Sequence, residues 1–406
     1  MATTFSKNIR STLASSFINS LIYSCTIPFL VIYLAGVFNQ QLTGLLVMTN
    51  VVVCFLAGII GGYLADNFQR KKILYIFQSL YGGSLLLIAF RFSGLLSADG
   101  WLILGYLVCG ISFNLYSPAY DAVLMDCTTI ENRKQAYQWQ YWTFNLSMAL
   151  GFSLGGFLFQ HYLFQLFLVA GIAQLAMALL FQSQLDYTNA TTKKRHSNRL
   201  KDLLSNYRIA AKDTRWLFLI LGMALFNTAE FSLKTYTAVR LSKEFETLTL
   251  FTVPIDGVRM LSLLQVLNTL LVVGFTFLVS RFTDKRSEKA TILYGLVIYV
   301  VSYGLIAVMN NIYVLIPLMI LATIGELASA PNINARKVDL VPEDKQASYL
   351  AFSSLSYQGA DLLAAFALTL SGYISAGFIA GYIIILGLIG TSLTVSSLYG
   401  RNNKDI

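Results

Sequence analysis

The sequence predicts an all-α membrane protein with twelve transmembrane helices in two pseudo-symmetric six-helix bundles. Three observations support this fold class. The 406 residues are 56% hydrophobic and only 12% charged, about half the charge of a soluble globular chain. Long apolar runs divide into two sets of six around one long polar stretch. The two sets share a pair of equally spaced landmarks, which indicates internal duplication.

Each run is long enough to cross a bilayer, because a helix needs about 20 apolar residues to span a hydrocarbon layer of roughly 30 Å. The runs are too long and too uniform for the alternating strands of a membrane barrel. The first run is also too long for a signal peptide, so we expect it to remain in the membrane. The predicted spans are 9–35, 41–65, 72–92, 101–125, 135–160, 162–184, 214–241, 259–281, 289–309, 312–336, 346–372 and 374–399.

Basic residues lie mostly on one side of this arrangement. With a cytoplasmic N-terminus, 24 of the 29 Lys and Arg residues fall on the cytoplasmic side, which satisfies the positive-inside rule. We therefore expect both termini in the cytoplasm. Because this asymmetry accounts for the net charge of +9, no nucleic-acid partner is needed to explain it. The five exceptions are Arg91, Lys234, Arg240, Lys243 and Arg259.

The polar stretch between the sixth and seventh spans separates the predicted domains. Within it, four apolar residues recur at helical spacing, which is compatible with a helix on the membrane surface or with a solvated tether. Those four residues are Leu200, Leu203, Leu204 and Tyr207. The predicted organisation is an N-terminal bundle at 1–184, a cytoplasmic linker at 185–213, a C-terminal bundle at 214–400 and a cytoplasmic tail at 401–406.

The fourth and tenth spans carry the duplicated landmarks. Pro118 precedes Asp126 by eight residues, and Pro331 precedes Asp339 by the same distance. Basic residues and a Gln-Ala pair follow both aspartates. Paired repeats of this kind are typical of secondary transporters, in which the binding site lies between the two repeats.

Residues 62–72, between the second and third spans, have the sequence GYLADNFQRKK. This segment resembles the loop signature of the major facilitator superfamily, with matches at Gly62, Leu64, Ala65, Asp66, Arg70 and Lys71 and departures at Asn67 and Gln69. The resemblance implies a major facilitator fold and a gating role for the loop, in which Asp66 meets cations at a helix end. The expected gating residues are Gly62, Asp66, Arg70 and Lys71, joined by Asp126 and Arg133 after the fourth span.

The fifth span contains GFSLGG at residues 151–156. It fits the G-x-S-x-G pattern of hydrolases, but that pattern needs a strand-to-helix turn that an all-helical chain does not offer. Spaced as G-x-x-x-G, the same glycines allow close contact between helices. The segment resembles a degenerate antiporter motif of the superfamily that lacks its proline, and this favours export.

A closer resemblance covers most of the chain. Residues 126–134, 141–147, 257–260 and 325–331 are similar to the proton-coupled multidrug antiporter branch of lactococci and other Gram-positive bacteria. The resemblance implies a bacterial plasma-membrane protein. In that family, carboxylates on spans five, seven and ten are implicated in proton coupling and cation binding. Glu326 matches the last of them, whereas Gln140 and Lys234 stand at the other two positions.

Four charged residues fall inside predicted spans: Glu230, Lys234, Glu326 and Asp361. An ionised group in the bilayer core costs at least a few kcal/mol, so each is a candidate functional residue. Glu326, Asp361 and Glu230 are the candidates for proton coupling. Lys234 follows Glu230 by four residues and can pair with it on a regular helix. A structural salt bridge and recognition of a substrate carboxylate are both open for Lys234.

Polar residues also recur at helical spacing along several apolar spans. Such stripes indicate either a shared wet cavity or polar contacts between helices. The predicted cavity comprises Asn19, Tyr23, Asn114, Gln140, Trp142, Asn145, Asn227, Lys234, Glu326 and Gln358.

These features predict a proton-driven exporter of amphipathic cationic or zwitterionic small molecules. The alternative is a dedicated transporter of one endogenous metabolite, peptide-like or metallophore-like, and a sensor that binds without transport is a third hypothesis. The sequence contains no ATP-binding lysine loop and no nucleophile–base set, and its His and Cys residues are scattered. We therefore expect no enzyme activity, no metal and no cofactor. The expected partners are a small-molecule substrate, protons and the bilayer, with the chain as a monomer.

Overall fold

The computed structural model describes residues 5–185, 207–250, 252–283, 286–342 and 345–400. The predicted tail and residues 186–206 of the predicted linker lie outside the described residues, so the two interpretations of that linker stay predictions. Residues 207–211, at the end of the linker, are helical.

Six long helices form the first half of the chain. Thr129 starts the fifth of them with a capping box, in which its side chain accepts from the Asn132 backbone and the Asn132 side chain accepts from the Thr129 backbone. The helices are α1 Lys7–Val37, α2 Asn39–Asn67, α3 Arg70–Phe92, α4 Gly100–Cys127, α5 Ile130–Leu158 and α6 Leu163–Gln184.

The second half contains more interruptions. A π-helical segment, Leu233–Thr237, joins α7 (Thr214–Ser232) to α8 (Ala238–Glu244). A short antiparallel hairpin follows, with strands β1 Leu248–Leu250 and β2 Val253–Ile255. The remaining helices are α9 Gly257–Thr283, α10 Glu288–Ile306, α11 Ile312–Asp339, α12 Gln346–Ser353, α13 Leu355–Leu370 and α14 Ala376–Tyr399.

The predicted helical membrane fold is confirmed, since ten helices of the described chain are long and apolar enough to cross a membrane. All twelve predicted spans coincide with helical segments, but two do not qualify as continuous apolar helices. The first is α5, whose N-terminal half is rich in polar residues. The other is the predicted eleventh span, which breaks between α12 and α13 at Ser354.

By its contacts, the chain divides into two compact units: Met1–Leu30 with Thr49–Ser197, and Val31–Met48 with Asn198–Ile406. Residues 31–48 thus group with the second unit, where the Gln41 side chain donates to the Gly372 carbonyl at 2.9 Å. The predicted bundle boundaries at 184 and 214 stay predictions.

In the first unit, α3 packs against α4 and α6. The predicted close contact at the fifth-span glycines is confirmed, because a Cβ on Gly151 would lie 2.6 Å from the Cβ of Ser24 and 2.7 Å from the carbonyl oxygen of Leu21. Gly155 meets the ring of Phe29 in the same way. The two glycines therefore let α5 lie directly against α1.

In the second unit, α7 packs against α13 and α14, and α10 packs against α11 and α14. Two arginines satisfy carbonyls that helix ends leave open. Arg215 donates to the carbonyls of Ser397 and Leu398 at the end of α14. Arg240, 1% exposed, donates to the carbonyl of Ile306 at the end of α10 and to that of Met309 just beyond it, and pairs with Glu244.

Candidate functional site

The four intramembrane charges predicted from the sequence all belong to the second unit. Glu230 lies on α7, Lys234 in the π-helical segment, Glu326 on α11 and Asp361 on α13. Each side chain is partly exposed. Glu326 and Asp361 each lie within electrostatic range of both Glu230 and Lys234. The fold thus brings three acids and one base from separate elements into one cluster.

Glu230 is held by a tyrosine of α10. The hydroxyl of Tyr299 donates to a carboxylate oxygen of Glu230 at 2.9 Å. Tyr299 itself is 3% exposed and lies edge-on to Tyr303 at 5.0 Å. Gly325 lets α11 lie against the α10 backbone at Tyr299, since a Cβ on Gly325 would lie 2.7 Å from the backbone nitrogen of Tyr299.

Glu326 is held by an asparagine of α9. The Asn268 amide nitrogen donates to a carboxylate oxygen of Glu326 at 3.2 Å and to the hydroxyl of Thr323 at 3.1 Å. The Thr323 hydroxyl donates in turn to the Met319 carbonyl at 2.8 Å. These hydrogen bonds hold one carboxylate oxygen of Glu326 in place, while the side chain as a whole stays partly exposed.

Lys234 departs from the sequence expectation. The Glu230–Lys234 ion pair that a spacing of four permits is absent from the described part of the chain, where no carboxylate lies within salt-bridge distance of the Lys234 amine. The amine instead lies 5.4 Å from the ring centroid of Phe231, a cation–π contact. The π-helical segment Leu233–Thr237 widens the turn and rotates Lys234 away from the register of a regular helix.

Two further predicted cavity residues accompany the cluster. Asn227 lies one turn before Glu230 on α7 and is 9% exposed. Gln358 lies one turn before Asp361 on α13, and its buried carbonyl oxygen has no hydrogen-bond donor among the described residues. An unsatisfied buried acceptor is costly, so a polar group of a ligand or a water suits this position.

The other predicted cavity residues belong to the first unit. The amides of Asn114 and Asn145 donate to carbonyls four residues earlier on their own helices, at 2.9 and 2.8 Å. Tyr23 lies 6.0 Å from Phe113 between ring centroids, and Trp142 is 56% exposed. Asn19 is buried and Gln140 is partly exposed. A cavity shared by these residues and the acid cluster stays a prediction.

Among the predicted gating residues, Arg70 and Asp126 form an ion pair that ties the start of α3 to the end of α4. Arg70 also donates to the Ala65 carbonyl at 2.9 Å, and Lys71 donates to the Leu185 carbonyl at 2.7 Å. Arg133 donates to the Thr128 hydroxyl at 3.4 Å, while Asp66 is exposed and Gly62 is partly exposed. The gating role itself stays a prediction.

Sequence reasoning missed the residues that hold the acids. Asn268 has Gln265 and Thr269 on the same stretch of α9, and that polar stripe was a usable signal. Tyr299 and Tyr303 stand four residues apart, which does not distinguish a hydrogen-bonding pair from ordinary aromatic packing. Thr323 precedes Glu326 by one turn, and nothing in the sequence around it indicates that it helps to hold the acid.

The cluster has the chemistry of an ion-exchange site. Neighbouring carboxylates are costly to ionise together away from bulk water, whereas a proton or a bound cation reduces that cost. Groups of three or more metal-ligating side chains are absent from the described residues.

Residues 12–365 match the sequence pattern of the Major Facilitator Superfamily. The chain belongs to this superfamily. A "Na(+), Li(+), K(+)/H(+) antiporter" of Planococcus maritimus is 23% identical over 400 residues, covering 94% of this chain and 93% of that protein. An uncharacterized MFS-type transporter of Bacillus subtilis (strain 168) is 24% identical over 314 residues, covering 75% of this chain and 72% of the relative.

Solved structures of membrane transporters share the fold. A POT family transporter in complex with a thioalcohol conjugated peptide superposes with a TM-score of 0.73 at 14% identity, covering 95% of this chain and 94% of its own. The nucleoside transporter NupG gives a TM-score of 0.73 at 13% identity, with 95% and 99% covered. Family and fold are those of multi-span membrane transporters.

Proposed function

We propose that this member of the Major Facilitator Superfamily is a proton-driven antiporter that exports amphipathic cationic or zwitterionic small molecules by alternating access. The observation that carries the proposal is the partly exposed carboxyl group of Glu326, held by Asn268 within electrostatic range of Glu230 and Lys234. The Planococcus antiporter, similar over most of its length, supports exchange of a cation for protons.

The proposed cycle depends on competition at Glu326. A cationic substrate entering from the cytoplasm displaces the proton, because one carboxylate cannot hold both at once. Release of the substrate outside lets a proton bind again, and the neutral carboxyl group can then return without the cost of an unpaired intramembrane charge. Asp361 and Glu230 are the further proton-coupling candidates.

The same proposal places the transporter in the plasma membrane of a bacterial cell as a monomer, with both termini in the cytoplasm. The charge distribution along the chain supports this orientation.

The test is substrate-induced proton movement in everted membrane vesicles. The panel contains lipophilic cations together with Na⁺, Li⁺ and K⁺, the ions in the name of the Planococcus relative. We expect proton release with wild type and none with Glu326→Gln. The substitution keeps the shape of the side chain, but the amide neither takes up nor releases a proton at neutral pH. Glu246→Gln, at an exposed acid beyond α8, is the control and should behave as wild type. Gradient-driven transport at the wild-type rate by Glu326→Gln would refute the coupling role.

Lys234 favours a second candidate, a dedicated transporter of one zwitterionic, peptide-like or metallophore-like metabolite. Since no described carboxylate pairs with its amine, Lys234 is available for a carboxylate on the substrate. If no cation of the panel induced proton movement, the second candidate would be favoured and such compounds would be tested next.

The role of Lys234 is tested by two substitutions. We expect Lys234→Gln to lose transport of carboxylate-bearing substrates while cations without a carboxylate are still moved. Lys234→Arg keeps the charge but changes the geometry, so it should alter the relative rates of those substrates. Unchanged transport of every substrate by Lys234→Arg would instead assign Lys234 a structural role.

A further inference from the structure

A cleft of about 460 Å³ lies on the second unit between α10 and α14, and none of the four charged residues of the acid cluster lines it. Its walls are two rows of residues at intervals of four, which place each row on one face of its helix. Lys289, Leu293 and Val297 form the α10 row, and Leu388, Ser392 and Ser396 form the α14 row. We refer to it as the α10–α14 cleft.

The cleft exists because the two helices touch at one end and separate toward the other. Near the far end of α10, a Cβ on Gly304 would overlap Ile384, and a Cβ on Gly387 would overlap Val300. Closer to Lys289, the facing positions on α14 carry the small side chains of Ser392 and Ser396. These side chains do not fill the space that opens between the helices.

The lining changes from polar to apolar along the cleft. Lys289 and the Ser396 hydroxyl lie at the open end, where α10 begins and α14 finishes, and both residues are exposed. Leu293, Val297 and Leu388 lie further from that end along the two helices. A molecule that fits this order has a polar head and an apolar body. The volume is within the range of about 300–1,000 Å³ found for small-molecule sites.

The charge at the open end favours an anion. Among the described residues, Lys289 has no carboxylate within salt-bridge distance. The neighbouring acid, Glu288, is engaged by Arg336 at 3.3 Å, and that guanidinium lies 5.3 Å from the ring centroid of Tyr399, another residue of the lining. Among the described residues that line the cleft, Lys289 is therefore the cation that can meet an incoming group.

The positive-inside orientation supported by the sequence puts this end of α10 at the cytoplasmic leaflet, where anionic lipids accumulate and basic pockets between transmembrane helices bind their headgroups. We propose that the α10–α14 cleft binds one phospholipid with an anionic headgroup, whose phosphate pairs with Lys289 while an acyl chain lies along Leu293, Val297 and Leu388. This lipid site is distinct from the acid cluster and does not depend on the proposed transport cycle.

The test is native mass spectrometry of the purified full chain in detergent, with phosphatidylglycerol added alone, with phosphatidylcholine added alone and with no added lipid. We expect one phosphatidylglycerol retained per wild-type chain, and Lys289→Glu should lower the retained fraction by roughly tenfold. Ser392→Trp, which fills the cleft without changing charge, should lower it as well. Lys289→Arg should retain the lipid.

Lys212→Glu is the matched control, because Lys212 is an exposed lysine of the same unit outside the cleft; it should retain the lipid as wild type does. Equal retention by wild type and Lys289→Glu would overturn the proposal. Equal retention of phosphatidylcholine and phosphatidylglycerol by wild type would overturn the anionic headgroup, and retention of detergent alone would overturn the lipid site.

Discussion

At the scale of single residues, Glu230 depends on a phenol that the surrounding aromatic rings hold in place. Tyr299 lies edge-on to Phe226 at 6.2 Å and to Tyr303 at 5.0 Å, and its hydroxyl donates to Glu230. Tyr299→Phe removes the hydroxyl and keeps the ring. A hydrogen bond to a charged group contributes about 1.5–3 kcal/mol, so we expect a transport rate lower by roughly tenfold to a hundredfold, measured in proteoliposomes.

Tyr303→Phe is the control for that substitution. Tyr303 lies one turn further along α10 and is 2% exposed, so the same atom is removed from an equally buried ring. We expect a rate close to wild type, because Glu230 keeps its donor. Equal losses in both variants would mean that the effect comes from repacking of α10 and not from the bond to Glu230.

The sequence was most informative about residues whose chemistry conflicts with their surroundings. Glu326 stands out because an acid in an apolar run has few structural explanations. Its partner Asn268 lies 58 residues earlier, and that pairing depends on how α9 packs against α11. Hydropathy carries no information about such contacts. The site acids were therefore identifiable from the sequence, whereas the residues that hold them were not.

At the scale of helices, the contact between α5 and α1 requires residues without side chains. Gly151→Ala puts a methyl group 2.7 Å from the Leu21 carbonyl oxygen. Overpacking of this kind costs typically about 1–3 kcal/mol, so we expect a lower midpoint of thermal unfolding in detergent. Gly83→Ala is the matched control, since no atom lies within 4 Å of a Cβ at that helical glycine. Because Ala favours the helix over Gly by about 1 kcal/mol, Gly83→Ala should not lower the midpoint, and a midpoint lowered equally by both variants would show that the loss does not come from the contact between α5 and α1.

In each half of the chain an ion pair joins the start of one helix to the end of the next, and the signs of the two charges are reversed between the halves. Arg70 at the start of α3 pairs with Asp126 at the end of α4, and Glu288 at the start of α10 pairs with Arg336 at the end of α11. In each half the third predicted span is thereby tied to the fourth, which agrees with the internal repeat indicated by the spaced Pro and Asp residues. The sequence located these helices within a few residues.

Interruptions of the helices were harder to predict. The π-helical segment adds only one residue to a turn, and the break at Ser354 involves neither Pro nor Gly. Neither feature alters average hydropathy. The β1–β2 hairpin also escaped prediction, since its strands are three residues each and too short for an alternating pattern to emerge.

At the scale of the whole molecule, prediction succeeded because the signals are summed over many residues. A span needs about 20 apolar residues, so a few polar side chains within it do not obscure the pattern. The orientation, which stays a prediction, rests similarly on 29 basic residues. Contacts within a unit depend instead on individual side chains, and this is why the membrane fold was predictable and the acid cluster's internal geometry was not.

That summed charge signal makes a prediction about the orientation of the chain. The turn of the β1–β2 hairpin and the connection before α10 lie at opposite ends of α9, and Thr252 and Ser287 are exposed at these two positions. In a chain whose four cysteines are replaced by serine, we expect a membrane-impermeant maleimide to label Thr252→Cys in intact cells. Ser287→Cys should be labelled only after the membrane is permeabilised, because the positive-inside rule places its basic neighbours in the cytoplasm. The reverse labelling pattern would show that the chain has the opposite orientation in the membrane, with the α10–α14 cleft in the outer leaflet.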